Sequence, residues 1–203
     1  MKSLITFINN TDSTAPQVVF FNRNLLAAEN KSVVAWKTIC HCQPMYSHPL
    51  LYSNFFEVGV SDADGNFSPR LSAASGGIFE VNKMAVHRNI AYLALAKNAR
   101  RFEIKNNLLC GSLNAHVFLE KEIYATQKNI GPGQRALFEF DFGLSIAVVD
   151  QNADIASGFI DEIILLSTEQ KILLHGISSA KIMMKKADCS YKDYQFVLSD
   201  ANH

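Results

Sequence analysis

The chain has 203 residues, 48% hydrophobic and 19% charged, with 10 glycines and 5 prolines; it is long enough to bury roughly 70% of its unfolded surface, and this composition excludes a disordered or collagen-like polypeptide. Nineteen Lys and Arg balance nineteen Asp and Glu. A net charge of zero gives none of the basic field that nucleic acid or an anionic membrane would need, and it leaves little repulsion between copies.

Taken in chain order, the apolar residues recur with a period of two, the spacing of half-buried strands. SLITFIN (3–9) sets Leu4, Thr6 and Ile8 on one side and Ile5 and Phe7 on the other. It lacks the long apolar core and small-residue cleavage site of a secretory signal, so a strand is expected there. QVVFFNR (17–23) and SVVAWKT (32–38) are β-branched and aromatic, which suits a pleated surface. A strand over 55–61, a turn at Asp64-Gly65 and a return from Phe67 predict a hairpin.

Further strands are expected at IFEV (78–81), NIAYLALA (89–96), RFEIKN (101–106) and LNAHVFLEK (113–121). In RFEIKN, Phe102 and Ile104 would face one way and Glu103 and Lys105 the other. Beyond them, IYATQKN, the GPG turn (131–133), RALFEFDF, LSIAVVD, DEIILLS, KILLHG, AKIMMKK and YQFVLS continue the pattern. The stretch 87–101 also carries a helical spacing of Ile90, Leu93, Ala94 and Lys97, and a short helical turn fits between DQNADIASGF and DEIILL. Many short strands with regular turns predict an all-β fold. The expected architecture is an antiparallel β-sandwich, jelly-roll or Greek-key-like, with at most one or two short helices, in a single domain over 1–203. Its core candidates are Phe7, Val19, Phe21, Trp36, Phe56, Val58, Phe102, Ile104, Val117, Leu137, Phe138, Val148, Ile164, Ile182 and Phe196.

Chemistry concentrates in TICHCQPMYSH (38–48), which holds Cys40, His41, Cys42 and His48. Structural zinc sites space paired ligands as C-x2-C to C-x4-C, whereas this pair is C-x-C. On a strand both sulfurs would share a face, opposite His41. His48 would join them only if the loop around Pro44 folded back. The expectation is that Cys40 and Cys42 line the interior while His41 faces out, cysteine being a small hydrophobe first. A thiol nucleophile would need a neighbouring base; His116, in mid-strand, reads as a satisfied structural residue.

Asp62, Asp64 and Asn66 in SDADGNFS resemble a calcium loop, but Phe67 and Ala73 stand where an EF-hand needs Gly and Glu. Their expected role is turn formation. SAASGG lacks the Lys-Ser/Thr of a phosphate loop, and no G-x-S-x-G, H-E-x-x-H or C-x-x-C occurs. No catalytic residue and no cofactor is expected. Four cysteines (Cys40, Cys42, Cys110, Cys189) without a signal peptide predict reduced thiols in the cytoplasm, and no window is long enough for a membrane-spanning helix.

Several fragments, ITFINNT at the start, VVFFNRN (18–24), AWK (35–37) and GPGQRALFEF (131–140), together resemble the small bacterial β-proteins of the RhiA type, named for a protein expressed in the rhizosphere. Trp36 would match that family's tryptophan, and CHCQPMYSH has no counterpart in it. The resemblance implies a cytoplasmic β-domain and transfers no active site. The functional expectation is a non-catalytic structural or interaction protein that associates with itself through sheet edges. A carbohydrate or small-ligand module using loops 40–50 and 61–68 is the alternative, and a metal- or thiol-dependent enzyme the next.

Overall fold

The computed structural model describes residues 2–12, 14–26, 33–73, 76–83, 88–98, 100–150, 159–160, 165–186 and 194–202. Among them every regular element is a strand, and the protein is all-β. In chain order these are β1 (Lys2–Asn9), β2 (Ala15–Phe21), β3 (Val33–Cys42), β4 (Ser47–Ser53), β5 (Phe56–Ser61), β6 (Leu71–Ser72), β7 (Gly77–Lys83), β8 (Arg88–Ala94) and β9 (Arg101–Asn106). There follow β10 (Leu113–Leu119), β11 (Glu122–Ile130), β12 (Arg135–Glu139), β13 (Gly143–Val149), β14 (Phe159–Ile160), β15 (Gln170–Leu173), β16 (Ser179–Lys186) and β17 (Tyr194–Asn202). The pairing is antiparallel except for β1 with β16 and β7 with β9. The chain gathers into two compact units: Met1–Asn22, Ser32–Ser53 and Phe142–His203 in the first, Arg23–Lys31 and Asn54–Asp141 in the second.

The first unit contains the sheets β17-β16-β1-β4 and β14-β3-β2-β13-β15. The alternation of β1 is realised as read: Ile5 and Phe7 are fully buried and Leu4 is exposed. Phe7 meets Phe20 of β2 edge to face at 5.4 Å, which packs one sheet on the other. Trp36 of β3 and Tyr52 of β4 repeat that contact at 5.9 Å. Along one side, Gln170 of β15 donates its amide to the Phe196 carbonyl of β17 and accepts the Phe196 N–H. The side chain thereby does the work of a strand neighbour.

The second unit pairs the sheets β11-β10-β5-β6 and β12-β9-β7-β8. Phe56 of β5 reaches Phe102 of β9 at 5.2 Å, and Tyr124 of β11 reaches Phe140 at 5.0 Å. Gln127 of β11 here plays the part of Gln170, bonding both the N–H and the carbonyl of Leu137 on β12. Asn106 closes the end of β9. Fully buried, it donates to the carbonyls of Gly111 and Ile130 and accepts the Leu108 N–H.

Several local expectations change. Residues 88–94 form a strand, so the helical spacing of that stretch is not used among its described residues; the helical turn suggested before DEIILL, and most of that strand, lie outside them. The hairpin return after Asp64-Gly65 shrinks to one bridge, Ser61 with Phe67, followed by the two-residue β6. β4 is a further strand, not among those expected; it carries Pro49 and lies on a sheet edge, where a missing N–H need not cost a ladder bond. Glu103 does not face solvent: it is buried and ion-paired to Arg135, which reaches it diagonally from the position opposite Lys105 on β12. Among the core candidates, Phe56 and Leu137 are half-buried, Ile164 is outside the described residues, and the rest are buried.

Replacing Asn106 with leucine, similar in size, strips partners from two carbonyls and one N–H. Stability in urea denaturation should fall by about 2–4 kcal/mol; an unchanged midpoint would mean that water satisfies those groups.

Candidate functional site

After β3 the chain crosses from one sheet of the first unit to the other through residues 43–46 and enters β4. Pro44 presets the second position of this turn, and Met45 takes a left-handed backbone (φ 62) at the third, the place where a type II turn favours glycine. Asn9 holds the crossing from below. Its side chain donates to the Cys42 carbonyl at 2.7 Å, and its backbone carbonyl accepts the Met45 N–H at 2.7 Å. The loop around Pro44 thus does fold back, and it sets Cys42 Sγ 3.7 Å from His48 Nε2. Phe7 lies beside them, its ring 6.5 Å from the His48 ring.

Cys40 and Cys42 do not share a face: Cys40 is exposed and Cys42 is buried. The cause is His41, left-handed at φ 49, which interrupts the alternation that would have aligned the two sulfurs. His41 itself is exposed, as expected. Burial pushes the Cys42 thiol up from 9.0 to about 11. At neutral pH it is therefore protonated and a weak nucleophile, despite the imidazole beside it. Among the described residues no three His, Cys, Asp or Glu side chains converge on one point. Cys189 and His87 lie outside those residues.

In the second unit Asp62 accepts hydrogen bonds from the Asn66 N–H (2.8 Å) and side-chain amide (3.1 Å), and Gly65 (φ 84) supplies the left-handed step. Both Asp62 oxygens are thus engaged in closing the turn, and Asp64 is exposed. The following segment lies over the sheet. Phe67 covers the His116 ring at 5.0 Å, and the Arg70 guanidinium sits 4.1 Å over Phe118. Gly59 makes room for this layer, since a Cβ there would come within 3.3 Å of the Phe118 ring.

His116 is buried in that layer, with Nε2 2.9 Å from Ser61 Oγ and Nδ1 2.9 Å from Thr126 Oγ1. The row superficially resembles a Ser-His hydrolase, but the third member is a hydroxyl and Ser61 is itself buried. Burial, with Lys128 adding to it, pushes the imidazole down from 6.5 to about 4. The ring is a neutral, doubly bonded structural group and a poor base, as the sequence suggested.

No protein-family model, no curated protein and no solved structure matches the chain. The likeness to RhiA-type proteins rests on its strand fragments alone.

Because the unfolded chain binds a proton at His116 more readily than the folded one, stability is lost as pH falls from 6.5 toward 4 and levels off below. The loss should approach about 3 kcal/mol, and a His116→Gln variant should show a flatter urea-midpoint profile across that window. Alkylation of the native protein should modify Cys40 rapidly and Cys42 only after denaturation; peptide mass mapping separates the two.

Proposed function

We propose that this is a non-catalytic interaction protein that associates with copies of itself through its β surfaces. The observation that carries the reading is strand β8. It forms one edge of its sheet, and the eight residues from Asn89 to Ala96 include no charge, proline or glycine. A bulge opposite Ile78 and Phe79 leaves Leu93 without a β7 partner, and Tyr92, Leu93 and Leu95 are 53%, 56% and 66% exposed.

Other edges carry the devices that discourage pairing. β4 has Pro49, β11 has Glu122 and Lys128, and β12 has Arg135 and Glu139. β17 carries Asp200, paired with Lys181, while β6 and β14 are two residues long. An apolar edge on a chain of zero net charge favours a second copy, which brings the same uncharged run 89–96 and little net repulsion. Free thiols at Cys40, Cys42 and Cys110 accord with a reducing, cytoplasmic setting.

A second reading, a carbohydrate or small-ligand module, is favoured by the exposed rings of Tyr46 in the crossing turn and Phe67 in the 61–68 loop, since sugars stack on such surfaces.

Sedimentation velocity should show average mass rising with concentration, and Leu93→Lys with Leu95→Lys should hold the chain monomeric with an unchanged circular dichroism spectrum. A wild-type chain that stays monomeric at every concentration overturns the reading.

A further inference from the structure

We infer that Cys42 and His48 form a two-coordinate site for a soft monovalent ion, Cu(I) or its analogue Ag(I), at the rim between the sheets of the first unit. The number of ligands selects the ion. Structural zinc needs four donors, calcium six or more oxygens, and magnesium a full octahedron. One sulfur and one imidazole suffice only for soft d10 ions, which favour thiolate and accept two-fold coordination.

Charge points the same way. Cu(I) bound to a thiolate is a neutral unit. A divalent ion on the same two groups would leave a net positive charge beside Phe7 and the buried Cys42, with no carboxylate to compensate among the residues described at the pair. The spacing is also close. With metal–sulfur and metal–nitrogen bonds of about 2.3 and 2.0 Å, a linear bridge spans roughly 4.3 Å and a bent one less. The observed 3.7 Å is shorter, so the near-linear bridge that two-coordinate d10 ions favour needs the half-buried His48 ring to move outward by about 0.6 Å.

Binding is a proton replacement. The Cys42 S–H bond breaks, its proton goes to solvent, the sulfur pair binds the ion, and the neutral Nε2 lone pair completes the coordination. One proton leaves per ion, and nothing is oxidised or reduced. Coordination uses the tautomer with the ring proton on Nδ1, which turns the Nε2 lone pair toward Cys42 Sγ. Asn9 positions the site by fixing the Cys42 carbonyl and the Met45 N–H on either side of Gln43 and Pro44.

The test uses the full chain with Cys40, Cys110 and Cys189 changed to serine, titrated anaerobically with Cu(I) against a chromophoric chelator. One ion per chain, one proton released, and an X-ray absorption spectrum with one sulfur and one nitrogen neighbour are expected. Cys42→Ser should abolish binding, and His48→Gln should lower affinity by at least roughly tenfold, since losing even an outer partner costs that much. Undiminished affinity in His48→Gln, or a sulfur-only spectrum, overturns the proposal. A readout independent of these variants is Ag(I) added to the unsubstituted, 15N-labelled chain: silver coupling at His48 Nε2 supports the site, and an unperturbed His48 ring refutes it.

Discussion

At the ends of β1 and β9, inside apolar surroundings, backbone N–H and C=O groups must still find partners, and side-chain amides meet that demand. An unpaired buried carbonyl costs as much as a lost hydrogen bond. Asn106 satisfies two carbonyls and one N–H at the end of β9. Asn9 does the same at the end of β1, bonding Cys42 and the Thr11 N–H and hydroxyl. Gln127 and Gln170 each bond a full peptide pair on a strand of the facing sheet. The apolar faces drive the sheets together, while these amides fix where the sheets can stop.

The same device determines the chemistry of the first unit. Without Asn9 under the crossing, Met45 would have less reason to hold a left-handed backbone, and Cys42 and His48 would not be aligned on one another. Burial then makes the thiol a proton holder in place of a nucleophile. In the second unit His116 is treated alike: two hydroxyls bond both ring nitrogens, and the surroundings keep it uncharged. His48 is placed against Cys42 of the preceding strand, and His116 between Ser61 and Thr126 of the two strands that flank it.

Surface character follows from sheet edges. Proline, charge or short length covers most of them, whereas β8 combines an uncharged run with a bulge that turns Tyr92 and Leu93 outward. A bulge usually disrupts pairing in register. Here it also widens the exposed apolar area along that edge.

Two-residue periodicity was enough to place most strands and most of the core, because alternation is a local consequence of the pleat. RFEIKN is β9 to the residue, and the inward face of β1 is as read from Ile5 and Phe7. The exceptions mark where local pattern ends. Cys40 and Cys42 parted because one left-handed residue reversed the face, Glu103 went inside because Arg135 came from another strand to meet it, and β4 survived Pro49 because it lies at an edge. The composition and the period determined an all-β chain with uncharged, apolar faces. Whether His48 swings back onto Cys42, which amide plugs which strand end, and which edge stays open were decided by the tertiary structure, since a turn conformation and contacts between separate strands, such as Gln170 with Phe196, are not set by the local period.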